Sequence, residues 1–216
     1  MAILNAEDVR TLYNRNAGFY DAALIFYRLA GVTKLRSDLI DRLKLNEGDT
    51  VVDLGCGTGS NFPMIHEKVG KTGRIIGVDL SPAMLERARE KAVKHDFDNV
   101  SLVESDIREY RYPADMKAVA ACFALEMVPE YDAEIKRIAE ALPEGGRLGL
   151  LGLKHPENWP NWIVELGVIL NKPFGVSREY EEFQPWKAVE KHMEAKNFRE
   201  FYLGAAYRSV GIKHTL

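Results

Sequence analysis

The sequence predicts an α/β fold in which seven strands form a mostly parallel sheet, with an antiparallel hairpin at the C-terminal end and a helical cap at the N-terminal end. From Thr50 onward, short β-rich runs alternate with segments of helical periodicity. The runs are continuously apolar, which is typical of strands whose two faces are both covered by helices. Near the C-terminus two further runs are separated only by a tight turn at Gly204, which favours an antiparallel pair.

Each predicted element follows from these patterns. The strands are expected at residues 50–54, 74–78, 99–103, 118–122, 147–151, 199–203 and 206–212. Ser81 and Pro82 supply an N-cap and a first-turn proline, so they predict a helix that runs to about residue 95. The other predicted helices follow the glycine-rich turn after the first strand, up to about residue 69, or cover residues 130–142, 158–170 and 185–196.

A parallel series that is closed by a hairpin makes one domain rather than two. We therefore predict a single domain over residues 1–216, of which 1–45 form the helical cap and 46–216 the core.

The composition favours a globular protein that binds no nucleic acid. Of the 216 residues 46% are hydrophobic, and 29 Lys and Arg face 32 Asp and Glu, whereas nucleic-acid binders usually carry a basic excess. The two cysteines form no metal-binding or disulfide pattern, so we expect no metal site and a reducing, cytoplasmic environment. No signal peptide or membrane-spanning run is visible in the sequence.

The most informative stretch lies at the end of the first predicted strand, where Asp53-Leu54 is followed by Gly55-Cys56-Gly57-Thr58-Gly59. Glycines allow the sharp turn and the close approach of a ligand to the backbone. A nicotinamide or flavin dinucleotide site is the alternative, but its fingerprint places the third glycine one residue later. A carboxylate at Asp53 would also repel a pyrophosphate, whereas it could hold an ammonium group through ordered water. Asp79, at the end of the second strand, could accept hydrogen bonds from a ribose.

These residues resemble the first motif of class I S-adenosylmethionine (SAM)-dependent methyltransferases, and three later segments resemble further motifs of that family in the same order. The later segments are residues 78–85 (VDLSPAML), 105–107 (SDI) and 143–152 (PEGGRLGLLG). The resemblance covers about residues 43–153 and implies a Rossmann-like methyltransferase domain with SAM as its cofactor. A binding module without catalytic activity is the alternative, although no acid of the motif set is missing.

The resemblance also implies a role for each motif residue. Asp53, Gly55, Gly57 and Asn61 would line the methionine half of SAM. Asp79 would bind the ribose, Leu80 would pack on the adenine, and Asp106 would accept a hydrogen bond from the adenine amine with Ile107 beside it. The remaining residues expected at the cofactor site are Cys56, Met84 and Phe123.

The C-terminal third resembles a narrower group, the bacterial phospholipid N-methyltransferases. The matching segments are residues 152–156, 173–175, 185–186 and 201–207, and residues 61–63, after the first motif, fit the same group. This resemblance implies an amine acceptor on a phospholipid head group, such as phosphatidylethanolamine. A soluble small molecule methylated on N, O or S is the alternative acceptor.

Two apolar segments are relevant to the acceptor, at residues 19–29 and 159–170. They could line an acyl channel or make peripheral contact with a membrane, and core packing or a dimer contact is the alternative. Three residues are candidates for a catalytic role: Tyr20 in the cap, and Glu126 and His155 just beyond the fourth and fifth strands. A structural aromatic at Tyr20 and a solvated loop residue at His155 are the competing interpretations.

Overall fold

The computed structural model describes residues 7–14, 31–157, 159–171 and 182–214. Seven strands form a single mixed sheet, in the spatial order β3-β2-β1-β4-β5-β7-β6. Strands β1 to β5 pair in parallel, β7 is antiparallel to β5, and β6 is antiparallel to β7. The strands are β1 Thr50–Leu54, β2 Arg74–Asp79, β3 Val100–Glu104, β4 Met116–Cys122, β5 Arg147–Leu153, β6 Glu194–Phe201 and β7 Ala206–Ile212. The predicted seven-stranded α/β fold with a C-terminal hairpin is confirmed.

The described helices are numbered in chain order. They are α1 (residues 7–14), α2 Val32–Arg42, α3 Phe62–Val69, α4 Pro82–Lys94, α5 Tyr131–Ala141, α6 Asn161–Asn171 and α7 Pro185–His192, with short 3₁₀ turns at Leu125–Met127 and Tyr202–Gly204. The predicted start of α4 is confirmed, because the Ser81 side chain accepts a hydrogen bond from the Met84 N–H at 3.2 Å and Pro82 follows the cap.

The central strands are buried because helices cover both of their faces. All five residues of β1 are buried, and the sheet separates two hydrophobic clusters, one around Val52 and Val119 and the other around Val51 and Phe62. This arrangement explains the continuous apolar runs in the sequence.

The order in which the chain adds strands to the sheet reverses at β1 and β4, which are parallel neighbours. The chain builds β1, β2 and β3 towards one edge and then returns to place β4 on the other side of β1. In open α/β sheets this switch point leaves a crevice at the carboxyl ends of the two strands, which is where ligands bind. The glycine-rich loop leaves β1 at this end of the sheet.

The hairpin differs from its prediction at its first strand. The helix predicted at residues 185–196 ends at His192, and β6 occupies Glu194–Phe201 rather than 199–203. Strand β6 is exposed along most of its length and its register shifts between Lys196 and Arg199, next to Asn197 at φ 57°. A charged edge strand with a bulge has no buried face and therefore lacks the alternation that identifies a strand in sequence.

Only part of the predicted cap is described. Residues 7–14 and α2 are helical, and α2 packs on β5, where a Cβ at Gly149 would lie 2.9 Å from Leu39 Cδ1. The apolar segment 19–29 lies outside the described residues. The division into a cap over 1–45 and a core over 46–216 stays a prediction.

Candidate active site

A cavity of about 330 Å³ opens at the carboxyl ends of β1, β2 and β4. Its lining includes nine of the residues that the sequence predicts for the cofactor: Gly55, Cys56, Gly57, Asp79, Leu80, Met84, Asp106, Ile107 and Phe123. The other two predicted cofactor residues, Asp53 and Asn61, do not line this cavity and are fully buried close to it.

The glycine loop leaves room for a ligand at one position only. Gly55 and Gly57 have φ values of 67° and 53°, which L side chains rarely adopt. A Cβ at Gly55 would overlap the Ala124 side chain, whereas a Cβ at Gly57 would have nothing within 4 Å. Gly55 is therefore required by packing, and Gly57 presents bare backbone to the cavity.

Three polar side chains form a chain of hydrogen bonds beneath the loop. The Asn61 amide donates to Asp53 Oδ1 at 2.7 Å, and the Arg36 guanidinium donates to Asn61 Oδ1 at 2.8 Å. Asp53 Oδ2 is buried and has no hydrogen-bond partner among the described residues. Burial raises the pKa of Asp53 to about 6, although the Asn61 hydrogen bond and the Arg36 charge lower it. An unsatisfied buried carboxylate oxygen of this kind fits a cationic ligand group.

Arg36 is the main residue that the sequence analysis did not assign to the cofactor site. It belongs to α2, lines the cavity, and places its guanidinium 5.2 Å from the centre of the Phe123 ring. Phe123 itself has φ 58°, an uncommon conformation for a bulky residue and one that occurs at functional sites. No sequence motif marks Arg36, because it reaches the loop only through the packing of α2 on the sheet.

Asp79 accepts two backbone hydrogen bonds at the end of β2. The Gly57 N–H donates to Oδ2 at 2.8 Å and the Ser81 N–H donates to Oδ1 at 2.9 Å. Burial raises the pKa of Asp79, and these hydrogen bonds lower it. The carboxylate is therefore fixed in orientation and still faces the cavity, as a group that binds a diol requires.

Asp106 is held by an arginine. The Arg108 guanidinium donates to Asp106 Oδ1 at 3.0 Å and to Oδ2 at 2.7 Å, and these bonds lower the pKa of Asp106. A carboxylate has about four acceptor positions, so this pairing leaves capacity for an amine donor from a ligand. The sequence analysis did not foresee the arginine, which also lines the cavity.

Helix α1 closes the cavity from above. The Tyr13 hydroxyl donates to Met127 Sδ at 3.1 Å, and the Ser81 hydroxyl donates to Asn14 Oδ1 at 2.6 Å. Val9, Tyr13 and Met127 all line the cavity. Through these hydrogen bonds α1 contacts both the start of α4 and the 3₁₀ turn after β4.

The structure does not bring the three candidate catalytic residues together. Tyr20 lies outside the described residues. Glu126 and His155 are absent from the cavity lining; Glu126 instead accepts a hydrogen bond from the Tyr207 hydroxyl at 2.7 Å on Oε1. The catalytic roles of Tyr20 and His155 stay predictions.

Comparisons with known proteins agree with this geometry. A family model described as a methyltransferase domain matches residues 51–146. A SAM-dependent methyltransferase from Aquifex aeolicus has the same fold, with a TM-score of 0.62 at 19% identity over 82% of this chain and 89% of the other. The chain carries a SAM-dependent methyltransferase domain. Its cofactor is SAM, as predicted.

Two curated relatives of this chain are named for the same activity. A demethylmenaquinone methyltransferase from Listeria monocytogenes is 29% identical over 72% of this chain, and the match spans 66% of the relative's own length. One from Lactobacillus johnsonii is 26% identical over 96% of this chain and 93% of the relative. The geranyl diphosphate C-methyltransferase from Streptomyces coelicolor shares the fold, with a TM-score of 0.66 at 18% identity over 87% of this chain and 80% of the other.

These comparisons correct the narrower sequence prediction. The resemblance to phospholipid N-methyltransferases is not supported, because the matching relatives are named for a quinone acceptor. Peripheral contact with a membrane is likewise not shown, and among the described helices none has the length and apolar character needed to span a bilayer. The tail segments that suggested a lipid acceptor include parts of β5, α7 and the β6–β7 hairpin, which are framework elements of this sheet.

Proposed function

We propose that this methyltransferase transfers the methyl group of SAM to a small quinone-type acceptor, such as demethylmenaquinone in its reduced form. The observation that carries the proposal is the match to a demethylmenaquinone methyltransferase over 96% of the chain. This match extends beyond the cofactor motifs into the N-terminal and C-terminal parts. A small-molecule acceptor is the alternative that the sequence analysis gave, although a quinone ring is methylated on carbon rather than on N, O or S.

The proposed binding of SAM rests on complementary charges. The methionine end of SAM carries an ammonium and a carboxylate, and the site offers the buried Asp53 carboxylate and the Arg36 guanidinium, linked through Asn61. We assign Asp53 to the ammonium and Arg36 to the carboxylate. Charge-assisted hydrogen bonds of this kind are about twice as strong as neutral ones.

The remaining cavity residues suit the nucleoside end. Asp79 would accept the ribose hydroxyls and Asp106 the adenine amine, with Leu80, Met84 and Ile107 as apolar neighbours of the base. Gly57 would let the ligand approach the backbone, since a side chain there would occupy the open space.

The wall formed by α1 and the segment after β4 suits an apolar acceptor. Val9, Tyr13, Met127, Val128 and Pro129 present aliphatic, aromatic and thioether groups to the cavity. Flat rings pack well against such groups. When bound, SAM supplies an electrophilic methyl group on a sulfonium, so the main task of the protein is to align the nucleophile with that methyl group.

The test is methyl transfer from radiolabelled SAM to a panel of acceptors at equal concentration. The panel contains a demethylmenaquinone analogue reduced with dithionite, the same quinone left oxidised, phosphatidylethanolamine vesicles, and soluble amines and thiols. We expect label in the reduced quinone and not in the oxidised one, because only the reduced ring is electron-rich. Label in phosphatidylethanolamine alone would restore the lipid acceptor and overturn this proposal. Label only in soluble amines or thiols would also overturn it.

A further inference from the structure

Two partly buried tyrosine–glutamate pairs occur in the described part of the chain, and they differ in one respect. The Tyr112 hydroxyl donates to Glu134 Oε1 at 2.5 Å, and Arg137 donates to Glu134 Oε2 at 2.5 Å. The Tyr207 hydroxyl donates to Glu126 Oε1 at 2.7 Å, but Oε2 of Glu126 is buried and has no hydrogen-bond partner among the described residues. The Glu134 carboxylate of the first pair is neutralised by Arg137, whereas one carboxyl oxygen of Glu126 in the second pair accepts no hydrogen bond from the described residues.

Among the described residues, the titratable groups that act on the Glu126–Tyr207 pair carry no positive charge. Besides each other, the titratable groups that act on the pair are Cys122 at the end of β4 and Tyr131 at the start of α5. Lys154 contacts the far side of this cluster, 5.8 Å from the Trp186 ring centre, but its ammonium pairs with Glu157 and Glu200. Burial therefore raises the pKa of Glu126 to about 7, and the Tyr207 hydrogen bond moderates the increase.

The fold leaves a fitted space for this carboxyl group. Gly152 on β5 lies against it, and a Cβ at that position would overlap Glu126 Oε1. Tyr207 on β7 pairs in register with Gly152, so the two residues that hold the carboxyl group are cross-strand neighbours. Tyr207 is itself fixed by an edge-to-face contact with Trp186, with ring centres 4.7 Å apart.

The segment that carries Glu126 forms part of the cavity wall. Ala124 and Met127, on either side of Glu126 in the chain, both line the cavity, and so does Cys122. The charge of Glu126 contributes to raising the pKa of the Cys122 thiol, which places the carboxylate within electrostatic range of a group on the wall. Catalytic hydrogen bonds are often formed through one water, or only once substrate is bound.

We propose that Glu126, oriented by Tyr207 and Gly152, takes up the proton that the acceptor releases during methyl transfer, with Oε2 as the receiving atom. This inference rests on the proposed function, because it requires an acceptor that must lose a proton. In the reduced quinone a ring O–H bond breaks and its proton forms an O–H bond on Glu126. The electron pair enters the ring, a ring carbon forms the bond to the methyl group, and the electron pair of the broken S–CH3 bond stays on sulfur. The hydrogen of the methylated carbon then moves as a proton to the ring oxygen, which restores the hydroquinone. The glutamic acid then returns the proton to solvent. Tyr207 and Gly152 are positioning residues in this scheme.

The first test compares pH–rate profiles of the whole protein with any acceptor that it methylates. Glu126→Gln should lower kcat by about 10²-fold and remove the acidic limb of the profile. Tyr207→Phe removes a hydrogen bond that favours the carboxylate, so the acidic limb should move upward by about 1 pH unit with KM for SAM unchanged. Glu134→Gln and Tyr112→Phe are the matched controls, because they alter the other tyrosine–glutamate pair. Their pH–rate profiles should be the same as that of the wild type.

The second test measures the protonation of Glu126 in the absence of catalysis. Infrared difference spectra recorded across pH should show a buried carboxyl group that titrates near pH 7 in the wild type. This band should be absent in Glu126→Gln and shifted to higher pH in Tyr207→Phe. Gly152→Ala should displace the carboxyl group and alter the band, while calorimetry shows that SAM still binds.

Two outcomes would overturn the inference: a wild-type pH profile in Glu126→Gln, or the same shift of the acidic limb in Tyr112→Phe as in Tyr207→Phe. A failure of the proposed function looks different. In that case the wild type would not methylate the reduced quinone. The role of Glu126 is tested with whichever acceptor the wild type does methylate.

Discussion

Individual residues of the proposed cofactor site were predictable from sequence to different degrees. Asp79 and Asp106 follow strand ends within local motifs, and the structure places both on the cavity wall. Arg36 could not be found in this way, because it lies 25 positions before its hydrogen-bond partner Asn61. Tyr207 lies 81 positions after Glu126. Pairings of this kind depend on tertiary packing, which leaves no short-range pattern in a single sequence.

The role of Arg36 can be tested with ligands that differ at the methionine end. Arg36→Met should weaken SAM binding by about 10- to 100-fold, because it removes a charge-assisted contact with the carboxylate. Binding of methylthioadenosine, which lacks the amino-acid part, should be unchanged. Isothermal titration calorimetry measures both, and Lys34→Met, an exposed change on the same helix, serves as the control. Equal losses for the two ligands would show that Arg36 acts through folding instead.

Substitution of Asp79 should weaken the binding of both ligands, in contrast to Arg36→Met. Asp79→Ala should weaken the binding of both SAM and methylthioadenosine by about 1–3 kcal/mol, because both ligands contain the ribose whose hydroxyls would lose their acceptor. Since Asp79 also accepts hydrogen bonds from Gly57 and Ser81, circular dichroism must first show that the variant is folded. Unchanged affinity in a folded variant would exclude Asp79 as the ribose ligand.

At the scale of elements, the parallel half of the sheet was more predictable than the hairpin. Strands β1 and β4 are buried and consist mostly of apolar residues, so their burial can be predicted from their residue types. Strand β6 is exposed and carries charged residues, and its sequence was mistaken for the end of a helix. The position of α2 was similarly hidden, since its contacts are with distant residues: Leu39 packs against Gly149, and Asp38 pairs with Arg208.

The attachment of α2 to the sheet gives a second pair of matched variants. Asp38 pairs with the buried guanidinium of Arg208 on β7, whereas Asp41 pairs with Lys68 at the surface, 2.8 Å away. Asp38→Asn should lower the free energy of unfolding by about 1–3 kcal/mol, because it leaves a buried cation without its counter-charge. Asp41→Asn should change it by less than about 1 kcal/mol. Urea denaturation of both variants decides this, and similar losses would show that the buried pair does not hold the helix.

At the scale of the whole molecule, the site opposes the stability of the fold. Asp53 is fully buried and its pKa is raised from 3.8 to about 6, so the folded state favours the protonated form more than the unfolded state does. The resulting stabilisation is fully present below pH 3.8 and is lost as the pH rises through 6. The difference of about two pKa units corresponds to about 3 kcal/mol at neutral pH. Binding sites commonly carry such a cost, because the same charge that destabilises the empty fold recognises the ligand.

This cost predicts a variant that is more stable and inactive. The difference in unfolding free energy between Asp53→Asn and the wild type should grow by about 2.4 kcal/mol in favour of the variant between pH 4 and pH 8. Saturating SAM should stabilise the wild type and have little effect on the variant, since the ammonium would lose its counter-charge. Urea denaturation at several pH values, with and without SAM, measures both effects, and Asp98→Asn controls for the loss of one exposed negative charge. If the stability difference between Asp53→Asn and the wild type were independent of pH, Asp53 would be ionised in the folded protein at no cost. Its unsatisfied oxygen would then not be the feature that selects a cationic ligand.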